Sequence, residues 1–87
     1  MTESEIIELI DASIAEEFEL GREDMVPDAT LFDDLGLDSL DIVDLVIVLE
    51  NNFHFKIRED KALREIRTLG DIHSYVIRKK RELEGQV

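Results

Sequence analysis

The sequence predicts an all-α fold, a small four-helix bundle of three main helices and one short helix with a long first loop. Three observations carry that prediction. Apolar residues recur at three- and four-residue intervals in separate stretches, each main stretch opens on a capping residue with an acid three positions on, and Gly and Pro gather between the first two stretches.

The first helix is expected from Glu3 to about Glu19, where Ile7, Ile10, Ile14 and Phe18 recur at helical spacing with Ile6 and Leu9 beside them. Thr2 and Glu5 stand at capping-box spacing, Glu3, Glu5 and Glu8 suit the positive end of the helix dipole, and Gly21 supplies the stop. Residues 20–38 contain Gly21, Pro27 followed by Asp28, and Gly36, and so read as a connection. A connection longer than about 12–15 residues is usually functional or packed down. Met25, Val26, Leu31, Phe32, Leu35 and Leu37 give this one apolar anchors, with one helical turn expected near Thr30 to Leu35.

From Leu40 to Leu49 eight of ten residues are apolar, and five of them (Ile42, Val43, Val46, Ile47 and Val48) are β-branched, which favours strand. Period decides for helix. In a strand Asp41 and Asp44 would point to opposite faces, whereas at helical pitch Asp41, Asp44 and Asn51 share one side. A helix so apolar around its girth is expected at the centre, with only an acidic strip showing. Phe53, Phe55 and Ile57 follow, Asp60 stands ready to cap a short helix over roughly Lys61 to Ile66, and Thr68 with Asp71 opens a last helix carrying Leu69, Ile72, Tyr75, Val76 and Leu83. Lys79, Lys80 and Arg81 complement the dipole at its far end.

Composition narrows the function. Eighty-seven residues, 44% hydrophobic and 37% charged, make one domain with one core. No cysteine is present, which removes disulfides, thiolate metal sites and thiol nucleophiles and suits a reducing cytoplasm. No secretory signal or transmembrane segment is expected. The net charge of −12 repels nucleic acid and anionic lipid and attracts basic protein surfaces. Residues 1–50 hold 16 acidic side chains against the single Arg22, while residues 51–87 hold 9 basic against 6 acidic. Asp33, Asp34, Asp38 and Asp41 lack the alternating spacing of a calcium loop, so no dedicated metal site is expected. His54 and His73 read as surface or partly packed residues, and Phe18, Phe32, Phe53, Phe55 and Tyr75 as core or core-edge residues.

Ser39 stands out. It lies where the long loop enters the central helix, after Gly36, which lets the backbone turn, and after Asp38, which caps the helix with Asp41 at the third position. The amides and partial positive charge of a helix N-terminus favour a phosphate attached to such a hydroxyl.

The run Asp33-Asp34-Leu35-Gly36-Leu37-Asp38-Ser39-Leu40-Asp41, followed by Leu45, Leu49, Glu50 and Phe53, resembles the signature of the acyl carrier protein family. The similarity extends through the first helix, the Val26 to Thr30 loop, the Phe53 to Ile57 exit and the last helix to about Val76, which implies a single acyl-carrier-like domain over residues 1–87. By that resemblance Ser39 carries 4′-phosphopantetheine on a phosphodiester, and the arm's terminal thiol holds an acyl group as a thioester. The protein is then a substrate of other enzymes and not itself an enzyme. The implied partners are a phosphopantetheinyl transferase (a holo-carrier synthase), acyltransferases, ketosynthases and related enzymes with basic docking patches, met by the monomer through Asp38, Leu40, Asp41, Asp44, Ile47, Val48 and Glu50. The family's sheltering core would correspond here to Val43, Leu45, Val46, Ile47, Leu49, Ile57, Ile66, Leu69, Ile72 and Val76.

The chain departs from that pattern after the central helix, where Asn51, Asn52, His54, Lys56, Arg58, Lys61, Arg64 and Arg67 replace the usual acids. A specialised pathway with matched enzymes is expected, within fatty acid, polyketide or related lipid biosynthesis. Two alternatives stay open: a peptidyl, D-alanyl or aryl carrier using the same serine, and a non-covalent acidic adaptor without the prosthetic group.

Overall fold

The computed structural model describes residues 1–57 and 61–85. Three α-helices form the described part: α1 (Glu3–Phe18), α2 (Ser39–Phe53) and α3 (Leu69–Glu84). Short 3-10 helices lie at Arg22–Asp24 and Lys61–Glu65, so the expected fourth helix is a tighter 3-10 turn, and the loop carries a small helical element of its own. Asp60, the expected cap, and Arg58 of the basic stretch lie outside the described residues.

All three α-helices open on the same device. Thr2, Asp38 and Thr68 each accept from the backbone N–H three residues on, and Glu5, Asp41 and Asp71 each reach back to the capping residue's own N–H. The expected capping boxes are all present. α1 ends at Glu19 as expected and α2 at His54, but the residues that close them are these two themselves, both in the left-handed region at φ 54° and 59°. Gly21, at φ −75°, instead precedes the first 3-10 helix.

α1 packs against both α2 and α3. Its buried stripe runs through Ile6, Ile10 and Ile14, with Ile7 only half-buried and Phe18 at the margin of the core. Leu45, Val46, Leu49 and Phe53 of α2, Ile57 after it, and Leu69, Ile72, Tyr75 and Val76 of α3 complete the core. Burying such a side chain fully contributes about 1.5–3 kcal/mol, more than the several tenths of a kcal/mol that each β-branched residue of α2 loses by being helical. Phe53 and Phe55 stack with ring centroids 6.0 Å apart. Leu83 is 45% exposed and plays no part in the core.

The long loop is ordered by α3. Thr30 pairs with Thr68 in an isolated antiparallel bridge, the Leu31 N–H donates to the Arg67 carbonyl and the Leu69 N–H to that of Ala29, both at 3.0 Å. Gly70 N–H donates to the Pro27 carbonyl at 2.8 Å, an approach so close that a Cβ on Gly70 would meet that oxygen at 3.0 Å. The expected turn at Thr30 to Leu35 is present, closed by the Leu35 N–H on the Thr30 carbonyl at 3.0 Å. Met25, Ala29, Leu31, Leu35 and Leu37 anchor the loop in the core, while Val26 and Phe32 are half-exposed, against the expectation that both would pack inward.

One polar pair interrupts the apolar interior. His73 Nε2 on α3 lies 2.6 Å from Asp11 Oδ1 on α1, and both residues are buried. His73 is therefore neither a surface nor a half-packed residue. Its place on the inner stripe of α3, one position from Ile72, is filled by a polar group because α1 supplies a carboxylate opposite it.

Candidate functional site

Ser39 is the first residue of α2 and is exposed. Among the described residues its side chain makes no hydrogen bond. Three features of the loop set it there. Gly36 adopts φ +70°, which a side chain would strain. Leu35 and Leu37 are buried on either side of it, and the Leu37 N–H donates to the Leu31 carbonyl at 3.0 Å. Asp38 then closes the first turn of α2: its Oδ1 accepts from the Asp41 N–H at 2.9 Å, and its own N–H donates to Asp41 Oδ2 at 3.0 Å. The serine is held at a defined angle while its hydroxyl is left open.

The Asp38 carboxylate takes the Asp41 amide and the Asp38 carbonyl takes the Ile42 amide at 3.1 Å. The amides of Ser39 and Leu40 remain at the open end of the helix, where a phosphate ester on the serine would meet donors and the positive end of the dipole. The residues present thus fit a phosphodiester-linked group.

The face of α2 beyond Ser39 is mixed. Asp44 and Asn51 are exposed and Asp41 is half-buried, as the helical period predicts. The strip is not purely acidic, however: Leu40 is 77% exposed, Val43 57% and Ile47 37%, and Val48 is half-buried. Glu50 leaves the exposed face altogether. It is buried, and its Oε2 accepts from the Ile57 N–H at 2.9 Å, bracing the chain as it leaves α2. Helical pitch sets Glu50 four residues after Val46 and three before Phe53, both buried, and the returning backbone at Ile57 gives its carboxylate a donor there.

Of the residues expected to shelter a chain, Leu45, Val46, Leu49, Ile57, Leu69, Ile72 and Val76 are in the core and Ile66 packs at its margin. Val43 and Ile47 face outward instead. With Ile42, Val46 and Leu63 they line an apolar groove of about 240 Å³ between α2 and the 3-10 helix of Lys61–Glu65. Among the described residues no three His, Asp or Glu side chains converge as metal ligands would, and no helix is long and apolar enough to cross a membrane.

A three-helix domain presenting one open serine at the mouth of an acidic and apolar helix has the layout of a carrier for a covalently attached group. Comparison with known proteins agrees: residues 8–76 match the family described as a phosphopantetheine attachment site. The chain is 41% identical over 75 residues to the acyl carrier protein of Thermotoga maritima, covering 86% of this chain and 91% of that one. It is 34% identical to the acyl carrier protein of Thermosynechococcus vestitus, over 87% of this chain and 93% of the relative, and 36% identical to that of Exiguobacterium sibiricum, over 87% and 95%. The chain belongs to the acyl carrier protein family, whose prosthetic group is 4′-phosphopantetheine.

Proposed function

We propose that Ser39 is the attachment residue and that the loaded protein carries acyl groups among the enzymes of fatty acid, polyketide or related lipid biosynthesis, as a monomeric cytoplasmic carrier that catalyses no step itself. The observation that carries this reading is the open hydroxyl of Ser39 on a helix start fixed by the Asp38 and Asp41 box, within a chain of this family. When bound, the arm supplies a thiol that holds the acyl group as a thioester. In loading, Ser39 Oγ forms a bond to the pantetheine-side phosphorus of coenzyme A and the diphosphate P–O bond breaks. Adenosine 3′,5′-bisphosphate leaves with the electron pair, and the serine proton passes to a base on the phosphopantetheinyl transferase. Asp38, Leu40, Asp41, Asp44, Ile47 and Val48 face the incoming enzymes, combining charge that steers with apolar surface that docks. The groove over Ile42, Val46 and Leu63 offers cover to an acyl chain beside the arm.

Incubation with a phosphopantetheinyl transferase and coenzyme A tests the reading by intact mass. The wild-type chain is expected to gain one phosphopantetheinyl group and Ser39→Ala none; an unmodified wild type would favour a non-covalent adaptor. The exposed Lys56, Lys61, Arg64 and Arg67 support a set of matched enzymes in place of the general fatty acid synthase. Elongation of the acylated protein by a main-pathway ketosynthase as fast as that enzyme's own carrier would overturn this second point.

A further inference from the structure

Phe32 is the aromatic residue that the core does not absorb. Phe53, Phe55 and Tyr75 are buried and Phe18 packs at the margin of the core, whereas Phe32 is 50% exposed. Leaving an aromatic ring in water forgoes much of the stabilisation its burial would bring. Nothing in the backbone forces the exposure through disorder, because the turn that carries Phe32 is pinned at both ends. The Thr30 N–H donates to Asp34 Oδ2 at 2.8 Å, the Asp34 N–H donates to Thr30 Oγ1 at 3.0 Å, and the neighbouring Leu31 is fixed to Arg67. An aromatic ring on so constrained a turn loses little further entropy on docking, which is the property of an interface anchor.

Its position is also specific. The residue before it, Leu31, accepts the hydrogen bond from Leu37, two positions ahead of Ser39. The turn and the attachment serine thus belong to one rigid piece, with Leu40, 77% exposed, immediately after the serine. Asp28, Asp33 and Asp34, on the same loop as Phe32, are exposed. An enzyme that delivers a group from coenzyme A must hold that cofactor's phosphates with cationic side chains close to the reacting phosphorus. Its rim near Ser39 is therefore positively charged, the complement of this loop.

We propose that Phe32 is a docking anchor for the phosphopantetheinyl transferase, its ring entering an apolar pocket bordered by the basic residues of the coenzyme A site, while Asp33 steers the approach. The α2 face then supplies one point of contact and the loop a second, continuous with it through Ser39. The inference rests on the reading of Ser39 as the attachment residue.

The test is steady-state loading by a phosphopantetheinyl transferase with coenzyme A, following Phe32→Ala, Phe32→Tyr and Asp33→Asn. Phe32→Ala is expected to raise KM for the carrier about tenfold with kcat little changed, as loss of an anchor does. Phe32→Tyr should restore most of the wild-type value. Asp33→Asn should raise KM at low salt and lose that effect as salt is added. Because the ring is exposed, Phe32→Ala should melt with the wild type, and a variant that melts earlier is measured below its transition, where Phe32→Tyr still separates docking from folding. Equal KM for wild type and Phe32→Ala would overturn the anchor while leaving Ser39 as the attachment residue. A wild type that accepts no group at all would instead remove the reading beneath it.

Discussion

The Asp11–His73 pair places two polar residues, 62 positions apart, inside the interface of α1 and α3. The pair is enclosed, with side-chain exposures of 13% for Asp11 and 9% for His73. Removing one partner leaves the other buried without its hydrogen bond, a loss of roughly 1–3 kcal/mol for a buried polar group, whereas replacing both by apolar residues of similar size is often close to neutral. His73→Leu is thus expected to destabilise the domain by about 1–3 kcal/mol, and Asp11→Leu with His73→Leu by clearly less than the sum of the single changes. Urea unfolding of the four proteins measures the coupling, and additive losses would mean the two side chains act independently. Gly36 makes a second residue-scale case. Its φ of +70° opposes any side chain, yet a Cβ there would meet nothing within 4 Å. Gly36→Ala is expected to cost about 1–2 kcal/mol through backbone strain alone, seen as a lower urea midpoint with an unchanged slope.

At the scale of the element, the helix starts were legible in the sequence because a capping box is local chemistry: Thr2 with Glu5, Asp38 with Asp41 and Thr68 with Asp71 need only three residues of chain to declare themselves. Ser39 was legible for the same reason, since its place follows from Asp38. The end of α1 near Glu19 was legible too, but not the residue that closes it: Glu19 and His54 adopt left-handed caps that their side chains do not favour, and Gly21 does not. Glu50 and His73 escape a local reading for another reason: each is held inward by a partner beyond its own helical turn, Ile57 for Glu50 and Asp11 for His73. The cap of α3 also yields a pH dependence. The N–H groups of Arg67 and Thr68, with the Thr68 hydroxyl, hold the Asp71 carboxyl below its ordinary value of 3.8. A carboxylate with a depressed folded value contributes stability above its unfolded value and loses it as the pH falls through the folded one. Asp71→Asn is therefore expected to lower the melting temperature at neutral pH and to converge with the wild type as the pH drops below about 4. A constant difference between the two across that range would show that the carboxylate's charge is irrelevant to the cap.

Across the whole molecule, charge is the term that opposes folding. A net charge of −12 is confined to a body of 39 × 26 × 20 Å, in which Arg22 pairs with Glu8, Arg81 with Glu3 and Lys80 with Glu84 at the surface of the described residues. At about 0.01 M salt the screening length is ~30 Å, so carboxylates on all sides of the domain repel one another; at about 1 M it is ~3 Å and only direct neighbours interact. Salt weakens these attractive pairs as well, but exposed pairs contribute little to stability and 22 acidic side chains outnumber 10 basic ones. The melting temperature is therefore expected to rise steadily between these limits. Asp44→Asn, which removes one exposed charge from α2, should raise it at low salt and have little effect at high salt. If that field steers basic enzymes toward Ser39 as proposed above, Asp44→Asn should also slow loading of the serine at low salt while the fold gains stability. A melting temperature that fell with added salt would mean that the ion pairs outweigh the repulsion, and the acidic surface would then belong to the architecture of the fold and not to the recruitment of partners.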